Sequence, residues 1–232
     1  MIQVENLKKV YGPEEALNIE SLTIDKSECF GLVGNNGAGK TTLFRLILDL
    51  IRASAGRVII SGEDVRESEE WKSYVGSYLD EHMLLSFLSP NEYFETLRKI
   101  YGLSEQDLEN HLEKFSPFFN DEIIGKKKYL RDLSKGNIKK VGIAAAFMGA
   151  PSVILLDEPF ENLDPTSQNR LKRMIVEDLK NRGTTFLISS HDLTHVTDIC
   201  SRIVLLEKGH ILQDLKDDKE VMAGALADYF DR

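Results

Sequence analysis

The chain has 232 residues, 42% of them hydrophobic, which supplies a sizeable core for one domain or two. Acidic side chains outnumber basic ones, 38 to 29, for a formal net charge of -9, and a surface of that sign repels a phosphate backbone, so DNA and RNA are poor candidate partners. No stretch approaches the roughly 18 apolar residues that span a bilayer, and Met1-Ile2-Gln3-Val4-Glu5 lacks the basic-then-apolar order of a secretory leader; the chain is expected to be soluble, or to reach a membrane through a partner.

Short apolar runs at 2–7, 17–24, 29–33 and 58–60 predict strands. From Thr41 onward, Leu43, Phe44, Leu46, Ile47 and Leu50 recur at helical spacing. The stretch from about 80 to 150 reads as helical. Pro90-Asn91-Glu92 opens a helix with Phe94, Leu97 and Tyr101 on one face, and Ser104 followed by Glu105-Gln106-Asp107 makes an N-cap and an acidic first turn. A third helix is expected over 139–148. The run 153–156 suits a strand buried on both faces. An amphipathic helix over 166–181 carries Leu171, Met174, Ile175 and Leu179 at core spacing. Strands at 184–189 and 202–207, a Lys208-Gly209 turn into 210–215, and a closing helix over 220–232 complete the chain. Alternating strands and helices imply an α/β fold with a mainly parallel sheet. The expected division is an α/β core of 1–79 and 151–232 with a helical subdomain at about 80–150, all within one domain.

Several residues have bland readings. Cys29 and Cys200 lack CxxC or metal-ligand spacing and are expected to be reduced and buried. His82, His111, His195 and His210 form no ligand-like constellation and are read as surface or packing residues. Trp71, Phe118 and Phe119 are expected in the core.

Gly34-Asn35-Asn36-Gly37-Ala38-Gly39-Lys40-Thr41 fits GxxxxGK[ST] without a mismatch, between an apolar strand and a helix. That context points backbone N–H groups and a helix N-terminus at an anion. Lys40 should reach the β- and γ-phosphates of a nucleotide, the Thr41 hydroxyl should coordinate Mg2+, and Thr42 can donate to the α-phosphate. The loop alone names no reaction, since kinases, GTPases and transport ATPases share it. The guanine-reading NKxD motif is not found.

Val153–Leu156 ends in Asp157 and Glu158. Asp157 suits the Mg2+ shell, usually through water, and Glu158 suits a general base that polarises an attacking water. Leu133-Ser134-Lys135-Gly136-Asn137 precedes that strand and opens a helix. Here the chain resembles the ATP-binding-cassette family, whose signature reads LSGGQ. Ser134 and Gly136 match it, whereas Lys135 replaces a glycine and Asn137 a glutamine. The motif order matches from about residue 3 to 215. Asn162-Leu163-Asp164 resembles the family's D-loop, His191 its switch histidine, and Tyr11 the aromatic that stacks on adenine. The loop where the family carries a glutamine or glutamate holds Asp80, with Glu81 next to it; either can take that role, and an ordinary solvated acidic loop is the alternative.

The resemblance implies a P-loop NTPase core with N-terminal antiparallel β elements and an inserted helical subdomain. It implies ATP and Mg2+ as ligands. It also implies a head-to-tail dimer with a second copy or a homologous subunit, in which Ser134 and Gly136 of one chain complete the site of the other. Lys135 would then bring a positive charge near the partner's nucleotide. The expected function is the ATP-hydrolysing subunit of a transporter, held on the cytoplasmic face of the membrane by a separate permease. The GLVGNNGAGKTTL run is similar to multidrug, lantibiotic and antibiotic-resistance exporters. Phe87 and Phe94 are candidates for a permease-docking groove. The alternative is a soluble cassette ATPase acting on the ribosome or DNA, against which the acidity and the single cassette weigh.

Overall fold

The structure is a computed structural model that describes residues 1–216, 220–222 and 224, so the closing helix expected over 220–232 lies largely outside the described residues. The strands are β1 (Ile2–Tyr11), β2 (Glu14–Ile24), β3 (Cys29–Val33), β4 (Ala55–Ile60), β5 (Glu63–Asp64), β6 (Val75–Tyr78), β7 (Val153–Asp157), β8 (Thr185–Ser190), β9 (Arg202–Glu207) and β10 (His210–Leu215). The helices are α1 (Lys40–Ile47), α2 (Pro90–Ile100), α3 (Glu105–Phe119), α4 (Lys135–Ala146), α5 (Pro165–Arg182) and α6 (Leu193–Ile199).

Two sheets form. The N-terminal one is antiparallel, in the order β2-β1-β4-β5, and the larger one runs β10-β9-β3-β8-β7-β6. In the larger sheet only the β9–β10 hairpin is antiparallel; β3, β6, β7, β8 and β9 pair in parallel. Every residue of β3, β7 and β8 is buried, which is why their central residues form continuous apolar runs rather than alternating with polar ones. Alternate side chains enter two different cores. Leu32, Leu155 and Leu187 join Phe44, Ile47 and the antiparallel sheet on one face. Val33, Ile154, Leu156, Phe186 and Ile188 join the aromatics of α2 and α3, the aliphatic face of α4 and Phe147 at its end on the other. The inserted helices therefore share a core with the sheet rather than standing apart from it.

The expected elements appear with shifted ends. β1 and β2 extend each other through polar residues as far as the Tyr11–Glu14 pair, because hairpin hydrogen bonding continues past the buried stretch. α1 ends at Ile47, short of Leu50, and Asp49 turns the chain at φ 49°. α2 and α3 begin on complete capping boxes, Ser89 with Glu92 and Ser104 with Asp107. α4 begins at Lys135 rather than 139, since the Ser134 side chain accepts from Asn137 N and caps the helix there. β6 and α6 carry too little apolar periodicity to be expected; α6 is started by Asp192, which accepts from Thr194 N at 2.9 Å.

Trp71, Phe118 and Phe119 are buried as expected. Phe94 is not at a docking groove: it is fully buried against Phe119 and His111, so only the exposed Phe87 of that pair is available to a partner. Cys29 and Cys200 are buried thiols outside any disulfide, with sulfurs 3.5 Å apart.

His111 is a packing residue of some consequence. Its ring lies 4.8 Å from that of Phe115, and Nε2–H donates to the Ala144 carbonyl at 3.0 Å, joining α3 to α4. Burial holds its pKa down at about 4, from 6.5. Between those values the unfolded chain takes up a proton that the folded chain refuses. The neutral ring's contribution is thus full above pH 6.5 and is lost as pH falls toward about 4, by on the order of 3 kcal/mol. Replacing His111 by Phe should flatten the acid side of the stability profile. Urea denaturation of both proteins at about pH 7.5 and about pH 5 measures this, and equal pH slopes would contradict it.

Candidate nucleotide-binding site

Parallel registry brings the site together. Val33 pairs with Ser190 and Asp157 with Ser189, so the loop after β3, the carboxylates at the end of β7 and the residue after β8 emerge at one edge of the sheet. The carboxyl ends of parallel strands are where α/β folds bind ligands.

The loop after β3 closes onto α1 through two glycines with positive φ, Gly37 at 83° and Gly39 at 108°. At Gly39 a Cβ would also stand 2.9 Å from the Ala16 carbonyl oxygen, so both conformation and space demand glycine. Lys40, 6% exposed, donates to the Gly34 carbonyl at 2.6 Å and stands 3.3 Å from Glu158 Oε1. A cavity of about 460 Å3 is lined by Tyr11, the loop from Asn36 to Thr42, and Glu158. Tyr11, at the end of β1, is 47% exposed, with the Lys9 ammonium 4.6 Å from its ring centroid. That leaves an aromatic surface at the mouth of the phosphate loop suited to a base.

Thr41 and Asp157 meet directly. The Thr41 hydroxyl donates to Asp157 Oδ2 at 2.5 Å, and the Ser189 hydroxyl donates to Oδ1. Burial pushes the Asp157 carboxyl up, while the bonds from Ser189 and Thr41 pull it back down. These hard oxygen donors, beside a phosphate loop, fit Mg2+, which takes one or two carboxylates plus substrate phosphates rather than an all-protein cage.

Glu158 adopts φ 46°, a left-handed conformation that costs a non-glycine residue roughly 1–2 kcal/mol. Its amide donates to Ser189 Oγ at 2.9 Å and its carbonyl accepts from Lys139 Nζ at 2.6 Å. The unusual peptide aims the carboxylate. Oε2 accepts from His191 N at 3.2 Å and lies 2.9 Å from His191 Nδ1. Oε1 is buried and makes no hydrogen bond, although Lys40 is near. Buried polar atoms are nearly always hydrogen-bonded, so a carboxylate oxygen that has the Lys40 ion pair at 3.3 Å but no hydrogen bond, on a residue that lines a cavity, marks a place for a ligand or a water.

A second cavity of about 300 Å3 lies on the other side of Glu158, where Asp80, Glu81, Lys135 and Asp157 also line it. Asp80 Oδ1 accepts from His82 N at 2.8 Å and so caps the short 3-10 turn at Glu81–Met83. Ser134 and Gly136 do not line the phosphate cavity of their own chain. Ser134 and Lys135 are instead exposed at the N-terminus of α4. Asp164 caps α5, accepting from Ser167 N at 3.0 Å, and pairs with Lys140 at 3.6 Å.

Two contributors escaped the sequence reading. Ser189 holds both Asp157 and Glu158, and its signal was a pair of serines ending an otherwise apolar strand. Lys139 holds the Glu158 carbonyl, and only its place within a buried helix face could have marked it.

A phosphate loop after one parallel strand, with carboxylates at the end of another, defines a nucleotide-binding protein of the P-loop class. A family model described as ABC transporter matches residues 17–161, and the chain belongs to that family. It is 34% identical over 199 residues to the uncharacterized ABC transporter ATP-binding protein sll0415 of Synechocystis sp., covering 85% of this chain and 56% of that protein. It is 33% identical over 221 residues to the bacitracin transport ATP-binding protein BcrA of Enterococcus faecalis, covering 93% of this chain and 69% of that one. The chain thus spans little more than half the length of the first of these relatives. A solved structure of an ATP binding subunit of ABC transporter superposes with a TM-score of 0.85 at 26% identity, over 97% of this chain and 94% of that one.

Gly136 has a reason to be glycine within its own chain. A Cβ there would lie 2.6 Å from the Asn162 carbonyl oxygen. Gly136→Ala should therefore push the 162–164 loop away and lower stability by about 1–3 kcal/mol, as overpacking does. Lys135→Ala, on the same turn but exposed, should stay within about 0.5 kcal/mol of the parent. Thermal denaturation of the two variants checks this, and equal melting temperatures would refute it.

Proposed function

We propose that this chain is the ATP-binding and ATP-hydrolysing subunit of an ABC transporter, acting with a separate integral membrane permease. The observation that carries hydrolysis is Glu158: one carboxylate oxygen is steadied by His191, and the other is buried, ion-paired with Lys40 at 3.3 Å and without a hydrogen bond. A base so placed orients water toward a γ-phosphate and accepts its proton. Lys40 and the loop amides hold the phosphates, Tyr11 stacks on adenine, and Thr42 meets the α-phosphate. Thr41 and Asp157, with Asp80 from the second cavity, would hold Mg2+. The bound ion supplies charge neutralisation at the β- and γ-phosphates.

In this reading Ser134 and Gly136 act on the nucleotide of a second cassette, a copy of this chain or a homologue, arranged head to tail. The exposure of Ser134 and its distance from the phosphate cavity of its own chain support that. Closing such a pair from 1:99 to 99:1 needs about 5.5 kcal/mol of differential binding. A few charge-assisted hydrogen bonds of about 1.5–3 kcal/mol each supply it, and loss of the γ-phosphate removes them.

No helix among the described residues is long and apolar enough to cross a membrane, so the path for cargo belongs to the permease. The chain then sits on the cytoplasmic face of the membrane. Export is the direction proposed here; the relative BcrA is by name a bacitracin transport ATP-binding protein. The one domain, 1–232, divides in this reading at about 80 and 150.

Glu158→Gln should lower ATP turnover at least about 100-fold while ATP binding persists, leaving an ATP-locked dimer on size-exclusion chromatography. Turnover at the parent rate would remove Glu158 from the role of base. Gentle detergent extraction followed by affinity purification of the chain should bring down a polytopic membrane protein. Ribosomes in its place would overturn the transport reading.

A further inference from the structure

Lys139 lies on α4, just beyond the turn that Ser134 caps, and is 8% exposed. Its shortest contact is the 2.6 Å bond to the Glu158 carbonyl. The carboxylate it pairs with, on the half-exposed Glu161, stands at 3.8 Å. Burying an ammonium is costly unless it is held and balanced; here the Glu158 carbonyl takes its shortest bond, and the carboxylates of Glu161, Glu158, Asp157 and Glu81 favour its charge. Packing alone would be served as well by an apolar side chain of the same length.

The carbonyl in question belongs to the left-handed peptide of Glu158. That residue is held from two sides. Ser189, on β8 in the sheet, takes its amide, and Lys139, on α4, takes its carbonyl. The direction of the side chain follows from the peptide. Tilting it would carry Oε2 away from His191 and Oε1 out of the position between the two cavities.

We propose that Lys139 is a positioning residue for Glu158, and that through it the placement of α4 sets the aim of the carboxylate. The N-terminus of α4 presents Ser134 and Lys135 to the outside, and its fifth residue grips the catalytic peptide inside. Whatever engages the exposed end of the helix therefore acts on Glu158 of the same chain. In the two-cassette arrangement proposed above, the nucleotide of one site adjusts the base of the other. The inference rests on the reading of Glu158 as that base.

Full-length Lys139→Arg, Lys139→Gln and Lys139→Met test it, with Glu158→Gln run alongside. Arg keeps a cationic donor, Gln keeps a neutral donor of shorter reach, and Met keeps only the stem. The expected order of kcat, per nucleotide-binding site, is parent, Arg, Gln, Met. Arg should lie within about threefold of the parent and Met about tenfold or more below it, with KM for ATP changed by less than about twofold. If Met does not fold, the Arg and Gln variants still test the order. The proposal is overturned if Met or Gln turns over at the parent rate, if Arg is as slow as Met, or if kcat falls only together with weaker ATP binding and a lower Tm. An inactive Glu158→Gln beside a parent-like Lys139→Met would sink this proposal and leave the base in place. Parent-like Glu158→Gln would sink both.

Discussion

Parallel hydrogen bonding among β3, β7 and β8 carries three segments, distant in sequence, to one edge of the sheet. Each strand is buried on both faces, so a slip in register would move whole sets of side chains between the two cores. Because the cores fill from alternate residues of the same strands, the strand ends are held within narrow limits. The phosphate loop, the Asp157-Glu158 pair and His191 inherit that precision without having to pack well themselves.

At the strand ends the chemistry departs from the rules that hold the core. A carboxylate is buried, a glutamate takes a left-handed backbone, a lysine is desolvated and a buried carboxylate oxygen goes without a hydrogen bond. Each is unfavourable alone, by amounts comparable with a good hydrogen bond. Together they interlock: Ser189 serves both Asp157 and the Glu158 amide, Lys139 serves the Glu158 carbonyl, and His191 takes one carboxylate oxygen. Oε1 keeps the Lys40 ion pair but no hydrogen bond, on a residue that lines both cavities. Strain concentrated at one peptide is what a preorganised site looks like when the rest of the fold is regular.

The helices between β6 and β7 give the site a second anchor. α4 packs its inner face into the same aromatic core as Phe115, Phe147 and Phe186, while its first turn stays exposed. A helix fixed along one side and free at one tip is suited to transmitting a contact made at that tip. It meets the loops after β7 through backbone and side chains: Gly136 lies under the Asn162 carbonyl, Lys139 donates to the Glu158 carbonyl, and Lys140 pairs with Asp164.

The sequence by itself determined the phosphate loop, the carboxylate strand, the order of elements and the α/β class. These are local or periodic features: glycine spacing, an apolar run ending in Asp157-Glu158, a cap at Ser104. Strand and helix ends were legible only approximately, because hairpin pairing, caps and a left-handed Asp49 set them rather than hydrophobic period. Phe94 was misplaced because an aromatic on a helix says nothing of which side a neighbour covers. Ser189 and Lys139 stayed silent for the same reason. Their partners are 31 and 19 residues away, and hydrogen bonds at such separations exist only once parallel registry has brought the strand ends and α4 together.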